Sequence, residues 1–216
     1  MIRRILTSAK PLALLLPALL SLASCGTRRD TRNQLYVSVS DQRLLLVHDG
    51  KPVKSYPVST SKFGIGSRNG SNRTPLGRLE VARKIGGGAP AGMVFKSRRP
   101  TGEVLRPNAP GRDPVVSRIL WLHGKEPHNR NTFGRCVYIH GTPEEWRLGT
   151  PASYGCIRMG MKDVVDLYER VGEGAEVRVM RCSLLDTWAG QEYARRNPGS
   201  SFASNAKRGF RPERQA

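Results

Sequence analysis

Acidic residues are scarce in this chain of 216 residues: 17 Asp and Glu stand against 36 Lys and Arg, a formal charge of +19. Such a surface seeks anions. Long apolar runs are lacking as well. The longest, Pro11 to Ala23, follows Arg3, Arg4 and Lys10 and is too short and too interrupted by proline to span a bilayer comfortably. A basic start, an apolar stretch and a small-residue ending are the build of a secretory signal over residues 1–24. Export argues against nucleic acid as the partner and leaves an anionic wall polymer or a lipid surface. No internal repeat is present, and the four cysteines, Cys25, Cys136, Cys156 and Cys182, are few. A chain of this length buries a core without disulfide or metal staples.

The signal ends in LASC, which resembles the lipobox of bacterial lipoproteins. That resemblance implies that Cys25 becomes the lipidated first residue, holding the chain on a membrane, with residues 25–33 as a polar tether. Removing residues 1–24 takes three cations and no acids from +19, so the mature chain keeps +16.

A domain is expected over residues 34–182. Leu35, Val37 and Val39 alternate, Asp49 and Gly50 mark a hairpin turn, and Val53 to Val58 returns, a β-rich start. Residues 86–118, rich in Gly, Pro and Arg, read as a long functional loop, with FKSRRPTGEV as a lid or groove wall supplying cations. SRILWL and RCVYIH are further strands. Met161, Val164, Val165, Tyr168 and Val171 follow helical spacing, and Gly172 and Gly174 stop that helix before a last strand, AEVRVM. Beyond it, LLDTWAGQEYARR reads as one amphipathic helix, and the rest of a basic extension over residues 183–216 is expected to be partly disordered.

SYGCIRM places Cys156 directly after a glycine. A thiol acts as a nucleophile only as thiolate, which requires a base or a positive field. His140 ends a strand candidate 16 residues earlier, enough chain for a loop returning to the same end of the sheet. Gly155 allows close backbone approach, and amides around residues 154–157, including that of Ile157, are placed to face an oxyanion. Arg158 adds a cation able to favour the thiolate or hold a substrate carboxylate. From spacing alone, a catalytic pair and an inert buried Cys156 with a satisfied His140 remain equal alternatives. Cys136 and Cys182 are left either as a disulfide pair or, for Cys136, as a small core residue within its strand. His123 and His128 lie in a polar stretch that completes no metal set.

IHGTPEEWRLGTPASYGCIRM is similar to the signature of the L,D-transpeptidase (YkuD-like) family, and Thr74, Pro75 and Gly77 match that family's Thr-Pro-x-Gly segment. The resemblance implies a mainly β, sandwich-like fold with one or two helices and cysteine chemistry on peptidoglycan, with no metal or organic cofactor. Cys156 matches the nucleophile, His140 the general base and Gly141 the carbonyl that orients the base. Ser153, Gly155 and Arg158 match the rest of the motif. The implied reaction joins stem peptides by 3,3 cross-links. Water as acceptor would give an L,D-carboxypeptidase, attack on existing bonds an endopeptidase, and a protein acceptor attachment to the wall. Tyr154 departs from the family, which most often has a second histidine there; a phenol is no base near neutral pH. That departure supports a different class of protein, a non-catalytic peptidoglycan-binding lipoprotein.

Overall fold

The alternation from Asn33 onward folds as a meander of β1 (Asn33–Ser38), β2 (Arg43–His48) and β3 (Lys51–Ser59) in a computed structural model that describes residues 29–199. Asp49 and Gly50 turn the second hairpin, both at positive φ (46° and 69°), the geometry that matches strand twist. Then come β4 (Gly77–Ile85), β5 (Met93–Lys96), β6 (Arg99–Val104), β7 (Val115–Gly124), β8 (Tyr138–Gly141) and β9 (Ile157–Met159). The helix α1 (Met161–Arg170), the strand β10 (Glu176–Met180) and the helix α2 (Trp188–Arg196) are the remaining elements among the described residues, with short 3-10 turns at Glu145–Arg147 and Leu184–Asp186.

The strands run in the order β4-β10-β1-β2-β3-β9-β8-β7, and β7 pairs back onto β4, so eight strands close into a barrel-like sandwich. Closure removes free edges. The β5-β6 hairpin hangs from β7 outside this circuit. Inward residues such as Leu35, Leu44, Tyr56, Leu120, Ile139 and Ile157 fill the main core, and Val164 and Leu167 of α1 join it. On the far side of β1 and β2, Tyr36, Leu45 and Val47 pack against Leu184 and Ala189. A third cluster, Phe95, Ile119 and Tyr138 with Cys136 and Cys156 against it, lies beneath the hairpin.

Four expectations are corrected. Residues 86–118 are not one long loop: they carry β5, β6 and the first residues of β7, and Ser97 and Arg98, both at positive φ (49° and 67°), make the tight turn of the β5-β6 hairpin without its usual glycine. The C-terminal helix is split: Thr187 accepts from the Gly190 amide and caps α2 after a separately capped 3-10 turn. Cys136 precedes β8 in a turn, at φ 56°, and Cys136, Cys156 and Cys182 are all free thiols, so Cys136 and Cys182 form no bridge. Cys136 lies ahead of β8 and Cys182 beyond the end of β10, strands that are not neighbours in the sheet. His123 lies within β7, not in a loop. Among the described residues no group of three His, Cys, Asp or Glu is placed to hold a metal ion.

The end of the expected tether contacts the domain. Asp30 accepts hydrogen bonds from the backbone of Arg32, Asn33 and Gly172, and Arg32 pairs with Asp49. Residues 1–28, with Cys25, and residues 200–216 lie outside the described residues.

Candidate active site

Sequence separation between Cys156 and His140 is cancelled by one strand pairing. β8 and β9 run parallel with Ile139 opposite Ile157 and His140 opposite Arg158. Side chains alternate along a strand, so Ile139 and Ile157 enter the core while Tyr138, His140 and Arg158 share the other face. Cys156, one residue before β9, packs against Phe95, Ile119 and Tyr138 on that face, and the Tyr138 amide donates to its Sγ at 3.4 Å. That thiol in turn donates to the Cys136 carbonyl at 3.6 Å. Ile157 therefore brings only its backbone to the site.

The loop carrying the sulfur is held from several sides. Ser153, buried, donates to the Cys156 carbonyl at 2.6 Å and accepts the Gly155 amide at 3.2 Å, so that amide is already occupied. Thr74 donates to the Gly155 carbonyl at 3.1 Å and accepts from the Ser61 amide at 3.0 Å, which ties the Thr-Pro-x-Gly segment to the cysteine loop. Gly155 itself sits at φ 117°, and a Cβ there would stand 3.4 Å from the Arg73 carbonyl. The backbone brought close by this glycine is the protein's own 72–73 loop.

His140 is 5 % exposed, and its Nδ1 lies 2.8 Å from the Gly141 carbonyl. A carbonyl only accepts, so Nδ1 carries the proton and Nε2 keeps its lone pair. Gly141 has no room for a side chain, since a Cβ would fall 2.7 Å from the Val116 carbonyl of β7. Burial pulls the His140 pKa below its ordinary value, the Gly141 carbonyl and Asp113 oppose this, and Arg158 adds to it. Burial pushes the Cys156 thiol up to about 11 against the Tyr138 amide and the charges of Arg135 and Arg158. Near neutral pH the resting pair is thus thiol and imidazole. Such an arrangement suits deprotonation of the thiol as a substrate carbonyl arrives.

Arg158 does not stand free. Its side chain is 3 % exposed and pairs with Asp113 and, at 3.1 Å, with Glu144, while its Nε and Nη2 have no hydrogen-bond partner. Held between two carboxylates, it supports the β8-β9 face rather than offering a clamp for substrate. Asp113 also accepts from the Thr142 hydroxyl. Sequence reasoning missed it; its only signal was being the sole acid between Glu103 and Glu126.

Tyr154 points outward, 62 % exposed, with its hydroxyl accepting from Lys62 Nζ at 2.9 Å and its ring 5.5 Å from that of Phe63. The Lys62 hydrogen bond and charge draw its pKa below the ordinary phenol value. On the opposite flank the β5-β6 hairpin forms a wall. There Arg98 lies 4.7 Å from the Trp121 ring centroid, with Nη1 3.2 Å from the Tyr138 hydroxyl and 3.7 Å from Cys136 Sγ.

Closed sheet and cysteine-histidine face together direct attention to one group of proteins, and the sequence comparison agrees. Residues 32–179 match the L,D-transpeptidase catalytic domain family, YkuD, and the chain belongs to that family. It is 26 % identical over 145 residues to the protein named as L,D-transpeptidase YkuD of Bacillus subtilis (strain 168), covering 67 % of this chain and 64 % of that one. Among solved structures it is similar to an L,D-transpeptidase from Mycobacterium smegmatis, at 18 % identity and a TM-score of 0.46, over 69 % of this chain and 58 % of that chain. It is also similar to residues 123–326 of an L,D-transpeptidase from Xylanimonas cellulosilytica, at 19 % identity and a TM-score of 0.46, over 71 % and 62 %. The chain thus spans somewhat under two thirds of the length of these relatives.

Proposed function

We propose that this protein is a peptidoglycan L,D-transpeptidase that forms 3,3 cross-links through a thioester on Cys156. The observation that carries the reading is the placing of an imidazole, its Nδ1 fixed on the Gly141 carbonyl, on the same sheet face as a thiol held by the Tyr138 amide. In the first step Nε2 of His140 takes the thiol proton and Sγ attacks the carbonyl carbon at the L-centre of the third stem residue. Collapse breaks the carbon-nitrogen bond, and His140 returns the proton to the departing D-alanine amine. In the second step the side-chain amine of a neighbouring stem attacks the thioester, His140 takes its proton, the new amide forms and the thiol is restored. Atoms and charge balance with Cys156 and His140 as the only protein groups exchanging protons, since His140 passes the proton taken from the acceptor amine to the departing sulfur.

Water in place of the amine would release a tripeptide, and a protein amine would attach that protein to the wall. Before either step, a mature chain of charge +16 lipidated at Cys25 would be held on the outer face of a membrane against an anionic polymer. The test is incubation of the purified protein and a Cys156→Ala variant with disaccharide tetrapeptide, followed by mass spectrometry of the muropeptides. Dimers lacking one D-alanine, formed only with Cys156 present, are expected. Trimmed monomers alone would point to a carboxypeptidase, and unchanged substrate to a binding protein that keeps the fold.

A further inference from the structure

One cation beside the sulfur is not neutralised by the fold. Arg135 precedes Cys136, whose carbonyl accepts from Cys156 Sγ at 3.6 Å. Its guanidinium is held by three neutral oxygens: the Arg73 carbonyl at 2.7 Å, the Gly66 carbonyl at 3.3 Å and the Ser71 hydroxyl at 3.5 Å. The Arg73 carbonyl also packs 3.4 Å from the Cβ position of Gly155, so one peptide group touches both the arginine and the cysteine loop. Among the described residues no carboxylate pairs with Arg135, in contrast to Arg158 with its two. The ionisable group whose charge it feels is Cys156. Segments 61–76 and 127–142, which frame this side of the site, hold Lys62, Arg68, Arg73, Arg130 and Arg135 and no Asp or Glu. A partly buried cation held in place without a counter-ion is poised for an external anion.

In a stem peptide attacked by Cys156, the anion nearest the reacting carbon is the terminal carboxylate of the departing D-residue, three bonds from the attacked carbon. That distance is about one residue length, roughly 3.8 Å. We propose that Arg135 binds the terminal carboxylate of the donor stem and so restricts the donor to stems ending one residue beyond the scissile bond. This rests on the transpeptidase reading of Cys156. It makes Arg135 a specificity-determining residue: it holds the leaving group from the side of the 66–73 loop while the thiol attacks.

The experiment compares two donors, a disaccharide tetrapeptide with its free terminal carboxylate and the same compound as the terminal carboxamide. Each is turned over by the unaltered protein, Arg135→Gln and Arg135→Lys. A charge-assisted hydrogen bond corresponds to roughly 10- to 100-fold in kcat/KM. The unaltered protein is expected to prefer the carboxylate donor by that factor. Arg135→Gln is expected to lose the preference by slowing on the carboxylate donor alone, and Arg135→Lys, which keeps the charge, to retain part of it. Equal slowing on both donors would overturn the proposal, since it would place Arg135 in support of the thiol or the loop; so would an unchanged preference in Arg135→Gln. Thermal unfolding of each variant identifies a folding defect, in which case the preference ratio of Arg135→Lys decides. No turnover of either donor by the unaltered protein would refute the transpeptidase reading itself and this proposal with it, whereas turnover without donor preference would refute only the role of Arg135.

Discussion

Asp113→Asn probes how the site holds its base. Arg158, 3 % exposed, has Asp113 and Glu144 as counter-charges, and Asp113 also accepts the Thr142 hydroxyl. Removing one partner of a buried ion pair typically costs 3–5 kcal/mol when the remaining charge is stranded, by about that much. Here Glu144 stays, and the amide oxygen of asparagine can still accept from Thr142, so a loss of about 2 kcal/mol is expected. For a domain of this size that corresponds to a Tm lower by roughly 4–8 °C. A second effect acts on His140. Asp113 raises its pKa and Arg158 lowers it, so the variant keeps the opposing influence and loses the supporting one. Its imidazole becomes a weaker base, and the acid limb of the rate profile moves to lower pH while the plateau falls by about tenfold. Differential scanning fluorimetry and a pH profile of donor turnover read the two effects separately. An unchanged Tm together with an unchanged profile would show that the network has neither role.

Three further outcomes follow from the same geometry. Gly155→Ala places a side chain at φ 117° beside the Arg73 carbonyl, so it should cost roughly 1–3 kcal/mol by urea unfolding and sharply reduce turnover, and a neutral result would mean the loop relaxes freely. His140 has a folded pKa below its unfolded one, so protons bind the unfolded chain first: its contribution to stability is complete above about pH 6.5 and is lost as pH falls below it. The urea midpoint should therefore decline below that pH less steeply in His140→Gln than in the unaltered protein, and equal slopes would remove His140 as the cause. Tyr154→His should leave turnover within about tenfold, because position 154 faces solvent beside Lys62, whereas a gain of several orders of magnitude would show that the unaltered protein is crippled.

Strands were legible wherever one face is buried. Leu35 and Val37 alternate because β1 has one face in the main core and the other under α2, and α1 showed its period because Met161, Val164, Leu167 and Tyr168 face inward. The β5-β6 hairpin was not legible, since every residue of β6 is exposed and its turn uses Ser97 and Arg98 in place of the residues that favour positive φ. Spacing alone left Cys156 and His140 either a pair or unrelated, and the parallel β8-β9 register, which no single sequence displays, is what puts the two on one side of the sheet. The ion pairs of Arg158 were not legible, because a single sequence carries no mark of the distant acids, Asp113 and Glu144, that surround its charge, while its expected pull toward the thiolate fits its lowering effect on the Cys156 thiol. Tyr154 stood out in the sequence as the departure from the family's motif, and its outward direction comes from the bend at residues 154–156, where period-two alternation does not apply. The supports of the cysteine loop, Thr74 and Tyr138, act through a hydroxyl and a backbone amide, neither of which spacing reveals.

The central claim is that Cys156 forms a covalent bond to the substrate carbonyl carbon. Its most direct test is the intact mass of the protein during incubation with a tetrapeptide donor and no acceptor amine, beside Cys156→Ala and His140→Gln. A gain equal to the donor less D-alanine, mapped to Cys156, absent in Cys156→Ala and slowed by a factor of about 10² to 10⁴ in His140→Gln, is the predicted result. An unmodified protein under conditions in which the donor is consumed, or an adduct that survives Cys156→Ala, would contradict it.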